Sequence, residues 1–350
     1  MAGAKGTILI TGANGGLGLA MARHIVSQPE LAAYHGLYTV RNASTATELQ
    51  STTSNAVVGR HTCEILSLDL TRLGDVRKVA AAINAHVAAG DLPPIRALIL
   101  NAGYLEFTEQ TWTDDGFDTS FAATYLGHWL LTLLLLQSID QDRGRVVVIT
   151  SAAHDTQDVR NNAGGQYLEK KWHTIFHDST EPIAKGTWST TKEDPSFKGG
   201  YRRYGASKLC QTMMVPELQR RIDQDPVLKN IAVLAIDPGS TPTGITRRGD
   251  WRITALWTYV MPWLVVILTW LWPNGTCRTT KKSARDIMSA ALDSNHVLDE
   301  QPKGLYLDGE LRREPAAEVR DPRKREILWK DTSKYTQLKE GETALVRWKD

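Results

Sequence analysis

The chain has 350 residues, 42% hydrophobic and 23% charged, which suffices for one large α/β domain or two small ones. A net charge of +2, with no Arg/Lys run interleaved with aromatics, excludes nucleic acid as an expected partner. Cys63, Cys210 and Cys277 are far apart and odd in number, which suits a reducing compartment and argues against both a disulfide framework and a metal site.

Taken in order, Gly6 to Ile10 is a short apolar β-type run. A strand this early leaves no room for an apolar leader, so a cytoplasmic location is expected. Thr11-Gly12-Ala13-Asn14-Gly15-Gly16-Leu17-Gly18 follows, and then a helical pattern through Met21, Ile25 and Val26. Strand, glycine turn and helix start together are the context of a nucleotide phosphate site. Glycines permit close backbone approach, and the helix start offers unpaired N–H groups and partial positive charge. Gly12, Asn14, Gly16, Leu17 and Gly18 are therefore candidate cofactor residues, against the plainer reading of a simple turn. Leu37 to Val40 reads as a second strand ending in Arg41-Asn42, with no carboxylate before Glu48. A guanidinium there suits a 2′-phosphate and favours NADP(H) over NAD; the alternative is an exposed loop arginine.

Cys63 to Leu68 is a third strand, and Asp69 after it either accepts from an adenine amino group, caps the helix beginning near Arg72, or does both. Ile95 to Leu100 runs into Asn101-Ala102-Gly103, where small residues allow a cofactor to approach. Gly116 to Leu136 reads as one long, mostly apolar, buried helix. Arg145 to Ser151 is a fifth strand whose Val146-Val147-Val148-Ile149 run implies burial on both faces, with Ser151 at its carboxyl end. Residues 152–203 are polar, rich in paired Asn and Gly, and read as an insertion that Trp172, Phe176, Trp188 and Phe197 pack down near the site mouth. His154 within it is assigned a structural role.

Tyr204-Gly205-Ala206-Ser207-Lys208 opens a helical pattern through Leu209, Met213, Leu218 and Ile222. Positions four apart share a helix face, so the phenol and the ammonium point the same way. A cation within ~6 Å favours the phenolate and should pull the phenol's pKa down toward working pH. Alone, the pair is also what an ordinary helix face carries. Ile231 to Ile236 is a sixth strand, followed by Pro238, Gly239 and Thr243. Residues 253–272 carry no charge, hold Trp257, Tyr259, Trp263, Trp270 and Trp272, and are divided by Pro262. Their length would just span a bilayer. A single span would strand the expected strand Gly304 to Leu307 on the far side, so two short helices over an apolar pocket are expected. A monotopic membrane dip competes with that reading, as does plain lid packing. A helix then runs through Ile287, Met288 and Leu292, a last one covers Asp321 to Trp329, and a loose tail follows from residue 333.

The order TGxxxGxG, Asp-Leu, Asn-Ala-Gly, strand-end Ser, Tyr-x-x-x-Lys and Pro-Gly-x-x-x-Thr resembles the short-chain dehydrogenase/reductase family over nearly the whole chain. Leu126-Gly127-His128, Tyr204 to Leu209, Gly304-Leu305-Tyr306 and Ile327-Leu328-Trp329 resemble its retinol-dehydrogenase and WW-domain-oxidoreductase branch, and the chain is similar to fungal secondary-metabolism reductases. The resemblance implies one α/β, doubly wound (Rossmann) domain over residues 1–332 with a mainly parallel sheet. The insertion (152–203) and a Trp-rich substrate lid (244–280) elaborate it, and a tail covers 333–350. It assigns the pyrophosphate to Gly12, Gly16 and Gly18, adenine to Asp69, and the cofactor cleft to Asn101, Ala102 and Gly103. Ser151 would hold the substrate oxygen and Tyr204 would be the acid or base. Lys208 would bind the nicotinamide ribose, and Pro238, Gly239 and Thr243 would border the nicotinamide.

Two departures stand out. Thr124 occupies the position of the family's fourth catalytic residue, an Asn that acts partly through its main-chain carbonyl. The interval from Ser151 to Tyr204 is also far longer than the family's. The resulting expectation is NADPH-dependent reduction of an apolar ketone or aldehyde, or the reverse oxidation, by an enzyme that can form a homodimer and can touch a membrane through 253–272. The alternatives are a non-catalytic nucleotide-sensing or partner-binding protein, motivated by Thr124, and a lipid or sterol ketoreductase at a membrane surface.

Overall fold

A computed structural model of the protein describes residues 4–54, 61–161, 164–243, 259–294, 297–298 and 301–349. The strands are β1 (Thr7–Thr11), β2 (His35–Val40), β3 (Cys63–Ser67), β4 (Ile95–Leu100), β5 (Arg145–Ile149), β6 (Ala232–Asp237), β7 (Tyr306–Asp308) and β8 (Leu311–Arg313). Helices of more than ten residues are numbered α1 (Gly16–Ser27), α2 (Leu73–Ala88), α3 (Thr119–Ser138), α4 (Phe197–Asp223), α5 (Met261–Leu271), α6 (Thr280–Leu292) and α7 (Pro322–Thr336).

The strands form one sheet in the order β3-β2-β1-β4-β5-β6-β7-β8. All pairings are parallel except the terminal β7–β8 hairpin. Strands β1, β2, β4, β5 and β6 are buried at every position. This follows from their mainly aliphatic and β-branched composition, which must be covered on both faces. Alternate residues feed two cores. Leu9, Leu98, Val146 and Val148 face α2, α3 and α4. Ile8, Ile10, Ile99, Val147 and Leu234 face α1 and α6. The strand order reverses between β1 and β4, so their carboxyl ends open the crevice in which ligands of such sheets bind.

Four expectations need correction. The long helix begins at Thr119, and Ala122–Leu126 winds as a π-turn inside it. It is long and apolar enough to cross a membrane, yet it is packed inside the protein. Second, α4 begins at Phe197, seven residues before Tyr204, with the Ser196 hydroxyl accepting from Lys198 N. Gly199-Gly200, read as loop, lie inside it. A Cβ on Gly200 would stand 2.1 Å from the Glu106 carbonyl oxygen, so glycine serves close packing there.

Third, the tail is not loose. Leu338, Leu345 and Trp348 are buried, Trp329 Nε1 donates to the Trp348 carbonyl at 2.7 Å, and Arg77 pairs with Glu342 at 2.8 Å. Fourth, the described part of the Trp-rich block does not close down as a cover. It forms α5, with Pro262 in its first turn and Val265 as its buried residue. Residues 244–258, including Trp257 and the first half of the expected lid, lie outside the described residues.

Within the insertion, Trp172 and Phe176 are buried, and Trp172 meets Trp188 edge-on at 5.3 Å. Of the four aromatics expected at the site mouth, Phe197 packs with Leu105, Phe107, Ala153 and Tyr204, whereas Phe176 joins the α4-side core.

Candidate active site

The glycine turn, the Asn-Ala-Gly segment and the Pro-Gly segment meet at the crevice. Gly12 has φ +65°, and a Cβ on it would lie 2.9 Å from Ala102 Cα, so this turn and this approach require glycine. Asn101 Nδ2 donates to the Thr11 carbonyl at 2.8 Å, and Thr11 Oγ1 accepts from the N–H groups of Asn101 and Ala102 at 2.9 and 3.0 Å. These bonds lock the ends of β1 and β4 together. Gly15 caps α1 with no side-chain hydrogen bond, so no side chain competes for the first amides of the helix. Asn14, Gly16 and Gly103 are exposed along this rim, while Leu17 is half-buried and Gly18 buried. A Cβ on Gly16 would stand 2.8 Å from Thr243 Cβ, which brings the segment of Pro238, Gly239 and Thr243 onto the turn. Arg41 is exposed at the carboxyl end of β2.

Asp69 is at the end of β3, but it does not cap α2. Its Oδ1 accepts from Thr71 N at 2.9 Å and Thr71 Oγ1 at 2.7 Å, closing a local turn, and Arg72 is the N-cap with no side-chain bond.

Ser151, Tyr204 and Lys208 come together from β5 and α4. The Ser151 hydroxyl lies close enough to the Tyr204 phenol to oppose the rise in its pKa. Lys208 Nζ lies 5.7 Å from the Tyr204 ring centroid. It is buried, and it donates to the Ile149 carbonyl at 2.6 Å and to Gln211 Oε1 at 2.8 Å.

The expected downward pull on the phenol is not what this geometry produces. Burial raises the Tyr204 pKa, with Tyr201 and Asp237 adding to the rise and the Ser151 hydroxyl opposing it. Burial also pushes the Lys208 ammonium down to about 7, against the pull of the Asp237 carboxylate. Desolvation dominates because both groups are taken out of water together. The buried phenol is thus protonated at neutral pH.

Behind Lys208 lies a buried polar chain without an assigned role in the sequence reading. Gln211 Nε2 is 3.2 Å from His128 Nδ1, and His128 Nε2 is 2.8 Å from Thr11 Oγ1. His128 Nδ1 is also 2.9 Å from the Thr124 carbonyl. Two amides donate to Thr11 Oγ1, and its hydroxyl proton has the near His128 Nε2 at 2.8 Å in preference to the Ile99 carbonyl at 3.4 Å. Nδ1–H then donates to Thr124 O, and the Gln211 amide packs against Nδ1 without a hydrogen bond to it. Burial pushes the His128 imidazole down to about 3, so it is neutral. Thr124 therefore keeps a carbonyl, as expected, but His128 already occupies it, and its Oγ1 accepts from Tyr104 N at 3.3 Å. Gln211 lies one helical turn beyond Lys208, a spacing from which the pairing was legible.

A second unforeseen cluster ties the insertion to the sheet. Arg160 Nη2 reaches Asp158 Oδ2 at 2.6 Å, and its Nη1 lies 3.2 Å from Asp237 Oδ2 and 3.3 Å from Asp308 Oδ2. The Asp237 contact lacks hydrogen-bond alignment and is Coulombic. Burial disfavours the Arg160 charge, but the Asp158 bond and the charges of Asp237 and Asp308 outweigh it and raise its pKa. His154 takes the structural place expected of it. Its Nδ1–H donates to the Ser151 carbonyl at 2.7 Å, which leaves Nε2 to accept from Ala316 N at 3.2 Å.

Comparison with known proteins agrees with this geometry. Residues 6–165 match the family described as short chain dehydrogenase. "Short-chain dehydrogenase iccH" of Talaromyces variabilis is 44% identical over 98% of this chain and 99% of its own length. The WW domain-containing oxidoreductase of Danio rerio is 26% identical over 94% of this chain and 68% of its own length. Among solved structures, the NADPH-bound carbonyl reductase from chicken fatty liver superposes with a TM-score of 0.58 at 16% identity, covering 89% of this chain and 99% of its own. The angucycline C-6 ketoreductase LanV with bound NADP has a TM-score of 0.55 at 15% identity, covering 88% of this chain and 96% of its own. With the full-length similarity to iccH and the crevice motifs in register, this chain belongs to the short-chain dehydrogenase/reductase family.

Proposed function

We propose that the protein is an NADPH-dependent reductase of an apolar ketone or aldehyde, working in secondary metabolism. The observation that carries this reading is the convergence of Ser151, Tyr204 and Lys208 beside the glycine turn. The residues present fit a phosphorylated dinucleotide. The α1 start has no side-chain cap, the Gly12 turn has φ +65°, and Arg41 is exposed at the end of β2. NADP-bound solved relatives of the same fold support the choice of cofactor.

When bound, the dinucleotide supplies the hydride. Ser151 donates a hydrogen bond to the carbonyl oxygen and orients it. Tyr204, held protonated by burial, gives its proton to the oxygen as negative charge develops there. Lys208 stabilises the phenolate left behind, and its bonds to the Ile149 carbonyl and Gln211 fix its position. A resident protonated phenol suits reduction, since the reverse oxidation must start from phenolate. Leu105, Phe107 and Phe197 beside Tyr204 form an apolar wall that supports an apolar substrate.

Fluorescence titration with NADPH and NADH tests it. Wild type should bind NADPH more tightly, and Arg41→Ala should lose that preference by about tenfold or more, the worth of one charge-assisted contact. Tyr204→Phe should bind NADPH normally yet lose roughly 10²-fold or more in kcat. Equal or absent binding of both cofactors would instead favour a non-catalytic protein on this fold.

A further inference from the structure

The surface of α5 is the part of the molecule that its own fold leaves unaccounted for. From Tyr259 to Pro273 there is no charged residue. Trp263 and Trp270 are 79% and 80% exposed, and Tyr259, Val260, Leu264, Val266, Ile267, Leu271 and Trp272 are exposed beside them. Side chains of this size sum to on the order of 1,000 Å² of apolar surface, beyond the roughly 300–600 Å² of the largest patch on a typical monomer.

We propose that α5 is an interfacial anchor that seats the protein on a lipid surface. Four observations choose lipid over another protein. First, at 100° per residue, Trp263, Leu264, Val266, Ile267, Trp270 and Leu271 span an arc of about 160°, wider than the stripe of about 100° that a packed helix buries. A rigid partner touches one stripe of a protruding helix, whereas a fluid bilayer wraps the whole arc. Second, the exposed set is rich in Trp and Tyr, whose amphipathic rings sit at headgroup depth. Third, 11 residues reach about 16 Å, too short to span a bilayer but long enough to lie in its interface. Fourth, exposed cations follow the helix along the chain. Lys281 and Arg285 on α6 and Arg312 and Arg313 on β8 are exposed. Among the carboxylates here, Glu310 is paired with Lys282 at 3.3 Å and Asp286 with the same lysine at 2.6 Å.

The anchor is fastened to the site. Thr269 Oγ1 accepts from Thr279 N at 3.0 Å, and Ser240 N donates to the Thr276 carbonyl at 2.7 Å, next to Gly239. A bilayer under α5 would therefore lie beside the crevice, and a bilayer-dissolved carbonyl could enter directly. The docking stands without the proposed reaction; the delivery route rests on it.

The test is flotation of the full chain with phosphatidylcholine vesicles, with and without phosphatidylserine. Wild type should float with both and more strongly with phosphatidylserine. Trp263→Glu/Trp270→Glu should reduce the bound fraction about tenfold or more at unchanged melting temperature, because both rings already face water. Wild type that stays unbound to both vesicles, or a double variant that floats as well as wild type, overturns the anchor. Light scattering identifies the competing occupant. A wild-type dimer that the double variant makes monomeric, with no flotation, assigns the face to a second copy. Wild type that floats but reduces neither soluble nor vesicle-borne ketones retains the anchor and removes the reaction.

Discussion

Gln211 shows how a single buried side chain can set the geometry of a reacting pair. It accepts from Lys208 and packs its amide against His128, which holds both the Thr124 carbonyl and Thr11. The ammonium is thus placed by a side chain that is itself seated against the histidine bonded to Thr11, whose hydroxyl oxygen accepts from the N–H groups of Asn101 and Ala102. Gln211→Ala leaves Lys208 without its side-chain acceptor. A hydrogen bond to a buried charged group is worth about 1.5–3 kcal/mol, so kcat should fall roughly 10–100-fold. NADPH titration should show cofactor affinity changed much less, and Gln211→Glu, which keeps an acceptor, should recover part of the rate. Equal losses in both variants would mean the site is disrupted rather than the lysine displaced. Arg41 and Asp69 mark the limit of residue-level reading. Their strand-end positions were legible, but the side-chain partner of Asp69, the neighbouring Thr71, was not, because local turn bonds compete with capping.

At the scale of elements, the insertion matters as the wall beside Tyr204. Its polar composition hid a packed structure, anchored by Trp172, Ile175 and Phe176 and by the Arg160 cluster. Arg160→Gln would leave Asp158, Asp237 and Asp308 without their shared cation. Removing one partner of a buried pair costs about 3 kcal/mol. The expected outcome is a lower urea midpoint and faster hydrogen exchange in residues 152–196, with exchange in β4 and β5 unchanged. The helix α4 teaches a related lesson. Its first turn was unreadable because Gly199-Gly200 resembles a loop, whereas contact with the Glu106 carbonyl demands small residues inside a helix. Tertiary proximity overrode local propensity there.

Across the whole molecule, buried neutral histidines set the acid limit of stability. The folded value of His128 is about 3, below its ordinary value of 6.5, so the unfolded chain binds the extra proton first. Stability contributed by this group is full above pH 6.5 and falls as pH drops toward 3, by about 1.4 kcal/mol per pH unit. His154, His35 and His61 are lowered by burial in the same direction. Urea unfolding at pH 7, 6, 5 and 4 should show this decline, and His128→Gln should flatten it. A pH-independent midpoint between 7 and 5 would contradict it.

Sequence alone determined the seven parallel strands and the crevice, but not the antiparallel β8 at the sheet edge. Aliphatic runs ending at Thr11, Leu100, Ile149 and Asp237, with Gly, Asn and Ser just beyond them, can be satisfied only by buried parallel strands with a ligand-accessible rim. Period and punctuation are local properties and can be read along the chain. Only the tertiary structure decided which distant polar residues meet, as with His128 and Thr11 or Arg160 and Asp237, because these contacts join segments dozens to more than a hundred residues apart. It also decided the direction of the Tyr204 shift, since desolvation is a property of the packed whole. It turned the charged tail into a packed one through Leu338, Leu345 and Trp348, and left α5 outside the core. Apolar composition says that a surface must be covered, and only the assembled fold shows whether the chain itself supplies the cover.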